Sequence, residues 1–208
     1  MMMRTGKKRF LMLCVAGALC AAPRARAQEA TPRGEPEQAR MLELTNLLGF
    51  SGLFNLGRGT VRAVVLASPT CPRCAEAVGG VLATLGEIES KRLRAYIVYA
   101  PALPGDTRLS ALLSGTKLSA DRRAALFWDP GRVCASAWKP YLEADSTAAG
   151  ATLLYDPDAK LGLAPPDPLW MQRHACVEGP SFHARAFAES TRVHVEALEA
   201  KVRENRVE

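Results

Sequence analysis

The chain has 208 residues, enough for one domain with modest additions and too few for several. Hydrophobic residues make up 48% of it and aromatic residues only 6%, so its core is expected to be mainly aliphatic. The formal charge is +6, from 27 basic and 21 acidic residues, but Arg4, Lys7, Lys8, Arg9, Arg24 and Arg26 account for the whole excess. The rest of the chain is neutral overall and gives no support to a nucleic-acid partner, which would want a basic patch on the folded domain.

Residues 1–27 have the layout of a secretory signal peptide. A basic segment is followed by an apolar run from Phe10 to Ala22, then by Ala25-Arg26-Ala27 as a small-x-small cleavage site. The run is shorter than the roughly 20 residues that span a bilayer, so membrane contact is expected only if the leader stays uncleaved. The expected location is periplasmic or secreted, in a bacterial envelope. Residues 28–58 read as a Pro- and Gly-containing linker plus a short helix over Ala39 to Leu48. Phe50 to Thr60, with Gly52, Gly57 and Gly59, reads as a loop. The folded domain is expected over 59–208.

Val61 to Ser68 is an apolar, β-branched run ended by Pro69, as expected of a buried central strand. From Cys71 a helical pattern carries Cys74, Val78, Val81, Leu82, Leu85 and Ile88 at spacings of three and four. Pro72 sits where a first-turn proline is tolerated. Gly79-Gly80 is a weak point in that helix. Leu93 to Ala100 is a second strand. Asp106 or Thr107 is placed to cap a short helix through Leu113. Ala124 to Trp128 is a further strand, and Arg132 to Leu142 looks helical. Ala151 to Tyr155 is another strand, turned back as a hairpin by Asp156 to Lys160. Pro165, Pro166 and Pro168 make an extended stretch before Trp170. Ser181 is the expected N-cap of the last helix, which carries Phe187, Thr191, Val195, Leu198 and Val202 as an apolar stripe. Strands alternating with helices favour an α/β fold: a central mixed sheet flanked by helices, with a long C-terminal helix.

Cys14 and Cys20 fall in the leader, leaving Cys71, Cys74, Cys134 and Cys176. An oxidising compartment lets disulfides persist. Four cysteines allow three pairings, of which Cys71–Cys74 with Cys134–Cys176 is the simplest. A structural Cys134–Cys176 bond would close a sizeable loop and add ~3–4 kcal/mol in the chain-entropy view.

The first pair has the sharper chemistry. A strand ends, a Ser-Pro-Thr loop follows, and Cys71 stands at a helix start. Helix-end N–H groups, the helix dipole and the neighbouring Arg73 all favour the thiolate, which is the attacking species. Cys71 is thus the expected nucleophile, Arg73 its tuning cation, and Cys74, one turn in and more buried, the resolving thiol. A stabilised thiolate makes such a pair oxidising. Partners would be protein or small-molecule thiols and disulfides, and no organic cofactor is needed.

Residues 64–85 (VVLASPTCPRCAEAVGGVLATL) resemble the strand–CxxC–helix core of the thioredoxin superfamily, and Pro72-Arg73 is similar in kind to the Pro-His pair of its oxidising periplasmic members. VYAPALPGD (98–106), FWDP (127–130), LLYDPDAKLG (153–162) and PPDPLWM (165–171) resemble a little-characterised set of bacterial thioredoxin-like proteins. The resemblance implies a thioredoxin-like fold and thiol–disulfide exchange. It also implies a cis-proline loop opposite the dithiol, yet Asp145 to Gly150 contains no proline. That departure leaves room for the alternative of a metal carrier. Cys71 and Cys74, with His174 or His183, offer ligands for copper, zinc or mercury, a set similar to that of Sco-type copper proteins. As side chains, His174 and His183 otherwise read as solvated histidines near a helix start. Asp129 reads as a turn former before Pro130, with proton acceptance near the dithiol as the alternative.

Overall fold

The computed structural model describes residues 41–115, 121–141, 149–175 and 181–206. They form a six-stranded mixed sheet in the order β1-β4-β3-β2-β5-β6. The strands are β1 (Leu42–Glu43), β2 (Val61–Ala67), β3 (Leu93–Tyr99), β4 (Ala124–Trp128), β5 (Ala149–Tyr155) and β6 (Trp170–Ala175). β1, β4, β3 and β2 run parallel. β5 lies antiparallel on the other side of β2, and β6 antiparallel to β5. The helices are α1 (Leu47–Leu56), α2 (Pro72–Glu87), α3 (Arg108–Gly115), α4 (Val133–Ala137) and α5 (Ala184–Glu204).

β2 is buried at every position, as its unbroken apolar run requires of a strand covered on both faces. Its alternate side chains feed two cores. Val61, Ala63, Val65 and Ala67 meet the inner faces of α2 and α5, whereas Val64 and Leu66 meet Phe50, Phe54 and Trp138 beneath α1 and α4. α2 contributes Cys74, Ala77, Val78, Val81 and Leu85. At about 1.5–3 kcal/mol for each fully buried Val or Leu, this face alone fixes the helix on the sheet.

Four expectations need correction. The helix read over Ala39 to Leu48 is replaced by β1, which pairs Leu42 with Phe127, and by the start of α1. The glycine-containing loop is α1 itself, capped by Asn46, whose Oδ1 accepts the Gly49 N–H at 3.0 Å. Gly49 and Gly52 face outward, while Phe50 and Phe54, one turn apart, are fully buried, so packing overrides the low helix propensity of glycine. Residues 41–58 thereby contribute an edge strand and core side chains. Third, Gly79-Gly80 does not interrupt α2. A Cβ at Gly80 would lie 2.6 Å from the Phe182 ring, so this glycine permits the close approach of the segment entering α5. Fourth, α5 starts after His183 rather than Ser181. The expected apolar stripe does hold α5, with Phe187, Thr191 and Val195 buried.

Among the described residues no helix is long and apolar enough to cross a membrane. The leader lies outside them.

Candidate functional site

The site forms where β2 ends. Ser68, Pro69 and Thr70 lead to Cys71, which takes an extended conformation (φ −80°, ψ 117°) and caps α2 with its own side chain. Its Sγ accepts the Cys74 N–H at 3.3 Å, and its carbonyl accepts the Ala75 N–H at 3.0 Å. Pro72 follows in the first turn, where its missing N–H costs nothing. Cys74 Sγ in turn accepts the Ser68 N–H at 3.4 Å. Each sulfur therefore faces a backbone donor, and Arg73, half-buried, stands between the two cysteines in the first turn.

The loop before Cys71 is held from the α3 side. Asp106 Oδ1 accepts from the Thr70 N–H at 3.2 Å and from the Thr70 hydroxyl at 2.5 Å. Its Oδ2 accepts the Ala102 and Leu103 N–H groups, each at 2.8 Å. Burial pushes the Asp106 carboxyl up, but the bonds from Thr70 and from the Ala102 and Leu103 amides outweigh it and leave the carboxyl below its usual value. Ser114 of α3 adds a bond from its hydroxyl to the Pro69 carbonyl at 3.0 Å. The capping duty expected of Asp106 or Thr107 falls to Thr107, whose Oγ1 accepts the Ser110 N–H at 3.1 Å. A cleft of about 490 Å³ lies between α2 and α3, floored by Ser68, Pro69 and Tyr99.

Both sulfurs are enclosed. Cys74 is 0% exposed, as its place in the helix predicts, but Cys71 is only 1% exposed, which the local sequence pattern does not foretell. On the far side of Cys74 stands His174 of β6, itself 1% exposed. Its Nδ1 lies 3.7 Å from Cys74 Sγ and its Nε2 lies 3.5 Å from Thr152 Oγ1. Burial lowers the imidazole to about 4, so it is neutral at pH 7. The reading of His174 as a solvated histidine is thus overturned: β6 alternation turns Gln172 and His174 to the opposite face from Met171 and Arg173, and the ring is buried toward α2. His183, by contrast, is exposed at the N-cap of α5 and donates its backbone N–H to Gln172 Oε1 at 2.9 Å. Among the described residues no three His, Cys, Asp or Glu side chains converge as a metal-binding group.

Cys134 belongs to the opposite core with Phe50 and Trp138. Burial first, and then the Asp129 carboxylate, push its thiol well up. Cys176, its expected partner, lies outside the described residues. Asp129 accepts the Val133 and Cys134 N–H groups, both at 2.8 Å, and so opens α4 as a turn-forming cap.

Parallel β2 and β3 with their connecting α2, the antiparallel β5–β6 pair, the closing α5 and a CxxC at the β2–α2 junction define a thioredoxin-like fold. No protein-family model matches the chain, and no curated protein does. Among solved structures, a thioredoxin-family thiol:disulfide interchange protein from Chlorobium tepidum aligns at 9% identity and TM-score 0.43, over 68% of this chain and 83% of that one. A secreted disulfide oxidoreductase of Mycobacterium tuberculosis aligns at 10% identity and TM-score 0.42, over 67% and 85%. A yeast mitochondrial 1-Cys peroxiredoxin aligns at 11% identity and TM-score 0.44, over 74% and 70%. At these values no residue role passes from them to this chain.

Of the candidate set Cys71, Cys74, His174 and His183, the structure brings His174 beside Cys74 and leaves His183 apart, while sequence reasoning missed Asp106 as the anchor of Thr70. Asp106 is 36 positions from Thr70, so no local pattern joins them.

Proposed function

We propose that the protein is an exported thiol–disulfide oxidoreductase whose working pair is Cys71 and Cys74. The observation that carries this is the place of Cys71: its sulfur caps a 16-residue helix at the end of a fully buried central strand and receives the Cys74 N–H. A thiolate there is stabilised by that donor, by the positive end of the helix and by Arg73 beside it. Cys71 attacks a partner disulfide, the mixed disulfide forms, and Cys74 resolves it. Stabilising the reduced form makes the pair oxidising. The leader of residues 1–27 supports delivery to an envelope compartment, where protein or small-molecule disulfides and thiols are the partners. Cys134 and Cys176 serve there as a structural pair. Because Cys71 is almost fully enclosed, exchange proceeds through local opening around its sulfur.

Equilibration in glutathione buffers tests this reading. The Cys71–Cys74 couple should titrate well above the roughly −300 mV below which structural disulfides lie. Cys74→Ser should trap a mixed disulfide on Cys71, and Cys71→Ser should trap none at Cys74. A couple below that potential, or no trapped adduct in Cys74→Ser, would overturn exchange as the function. One equivalent of copper or zinc offered to the reduced protein separates exchange from ion carriage.

A further inference from the structure

A resolving thiol has a problem of its own. Cys74 is wholly buried, and since only a thiolate attacks, its proton needs an acceptor within the fold. The β2 side chains facing α2 are Val61, Ala63, Val65 and Ala67, so the strand under the dithiol supplies no proton acceptor. Asp106 accepts four hydrogen bonds, two from Thr70 before Cys71 and two from the Ala102 and Leu103 amides, and is committed there.

We propose that His174 is the base for Cys74: its Nδ1 takes the Cys74 proton as that sulfur attacks the mixed disulfide on Cys71. The inference rests on the exchange reading above. Three observations carry it. The imidazole is buried and its Nδ1 is set 3.7 Å from Cys74 Sγ, a distance that closes with a small movement. In the tautomer that carries its proton on Nε2, Thr152 Oγ1 at 3.5 Å is placed to accept it, and the Nδ1 lone pair then faces the thiol. And Gly150, on the strand facing β6, makes the room: a Cβ there would fall 2.0 Å from His174 Nδ1 and Cε1 and 3.0 Å from Cys74 Sγ. A glycine at that position is what allows ring and sulfur to meet. Phe182 closes the ring's remaining side at 6.5 Å between centroids. Among the described residues, the titratable and charged groups near the pair include Cys71 and Arg73 on α2 and, next to Cys74, Tyr99 on β3, whose phenol burial and then Cys74 push up.

The step balances. Cys71 thiolate has attacked a disulfide R–S–S–R′ and released R′S⁻, leaving Cys71–S–S–R. The Cys74 S–H bond breaks, its proton passes to Nδ1, and the Cys74 sulfur attacks Cys71 Sγ. The Cys71–Cys74 bond forms, the bond to R breaks, and RS⁻ departs, to be protonated by the imidazolium or by water. The protein dithiol is oxidised by two electrons, and the partner disulfide is reduced to two thiols. In the reverse direction the imidazolium returns the proton to Cys74.

The test uses the reduced protein and 5,5′-dithiobis(2-nitrobenzoic acid), which releases one coloured thiolate when Cys71 attacks and a second when Cys74 resolves. His174→Gln should leave the first release within about threefold and slow the second by about tenfold, below the usual reach of a general base because the buried ring titrates near 4. Raising the pH, so that solvent ionises Cys74, should restore the second release in the variant, an effect a merely structural histidine would not produce. Thr152→Val, which keeps the ring and loses its orienting hydroxyl, should slow only the second release, by a smaller factor. A second release in His174→Gln as fast as in the wild type, with unchanged circular dichroism, overturns the proposal. So does slowing that high pH fails to relieve. Should the wild type show no first release, the exchange reading itself fails, an outcome distinct from both.

Discussion

Two buried basic side chains lie toward opposite ends of the sheet, Arg62 on β2 and His174 on β6, and they are held in opposite ways. At the start of β2, Arg62 is fully buried, with Nη1 donating to the Phe54 carbonyl at 3.0 Å and Nη2 to the carbonyls of Asp156, Pro157 and Ala159 at 2.5, 3.2 and 2.8 Å. Its guanidinium also lies 4.2 Å over the Phe54 ring. At the other end, the His174 ring meets Cys74 and Thr152 at 3.7 and 3.5 Å, both longer than ordinary hydrogen bonds. Arginine cannot give up its proton in a protein, so the four carbonyls that its Nη1 and Nη2 reach make it a staple between α1, β2 and the turn after β5. Histidine can, and a loose setting leaves its proton free to move. The sheet thus holds a fixed charge where β2 meets α1 and a neutral ring able to take a proton where β6 meets the dithiol.

The contrast breaks most visibly at Arg62. Arg62→Met keeps the aliphatic contact with Phe54 but strands several carbonyls, and should cost about 3 kcal/mol or more of stability. The denaturant midpoint reads this directly. Resolution by Cys74, followed as the second thiolate release, should be unchanged in the molecules that remain folded. If Arg62→Met also slows that release, the two ends are coupled and the division drawn here is wrong.

At the histidine end the sharper probe is pH. Unfolded, the ring titrates near its ordinary value of 6.5, whereas burial lowers it to about 4 in the fold. Between those values the unfolded chain binds more protons. Stability due to the neutral ring is therefore full above pH 6.5 and declines as pH falls toward 4, by at most about 1.4 kcal/mol per unit. His174→Gln should lack this component. The wild-type-minus-variant difference, measured by denaturant between pH 7 and 5, should shift by about 2 kcal/mol against the wild type. A flat difference would mean that the ring is already protonated or exposed.

Much of this architecture was legible in the sequence because its signals are local. β2, β3 and β4 are apolar runs bounded by Gly, Pro or Asp, and each appears within a residue of where its composition puts it. Cys71 at a helix start follows from Pro69 before it and Pro72 after it. What escaped is set by distance. α1 was hidden because Gly49 and Gly52 argue against a helix by propensity, whereas Phe50 and Phe54 find burial against Tyr96, Phe127 and Tyr155, residues far along the chain. His174 could be grouped with the dithiol as a candidate ligand, but its burial shows only when β6 pairs with β5 and the register turns it inward.

The smallest expected effect lies at Asp106, between the two extremes. Its carboxylate is neither caged by charge nor poised to titrate near neutrality; it is a tether, and its four donors fix the Thr70 step one residue before the attacking sulfur. Asp106→Asn keeps the shape and one acceptor oxygen but loses the charge assistance, and should cost about 1 kcal/mol of global stability. Its informative readout is Cys71. Loosening Thr70 lowers the cost of uncovering a sulfur that is 1% exposed, so the first thiolate release should quicken by a few-fold while the second holds its wild-type rate. The opposite pattern, a slower first release with a normal second, would show that the tether presents Cys71 for attack rather than keeping it enclosed.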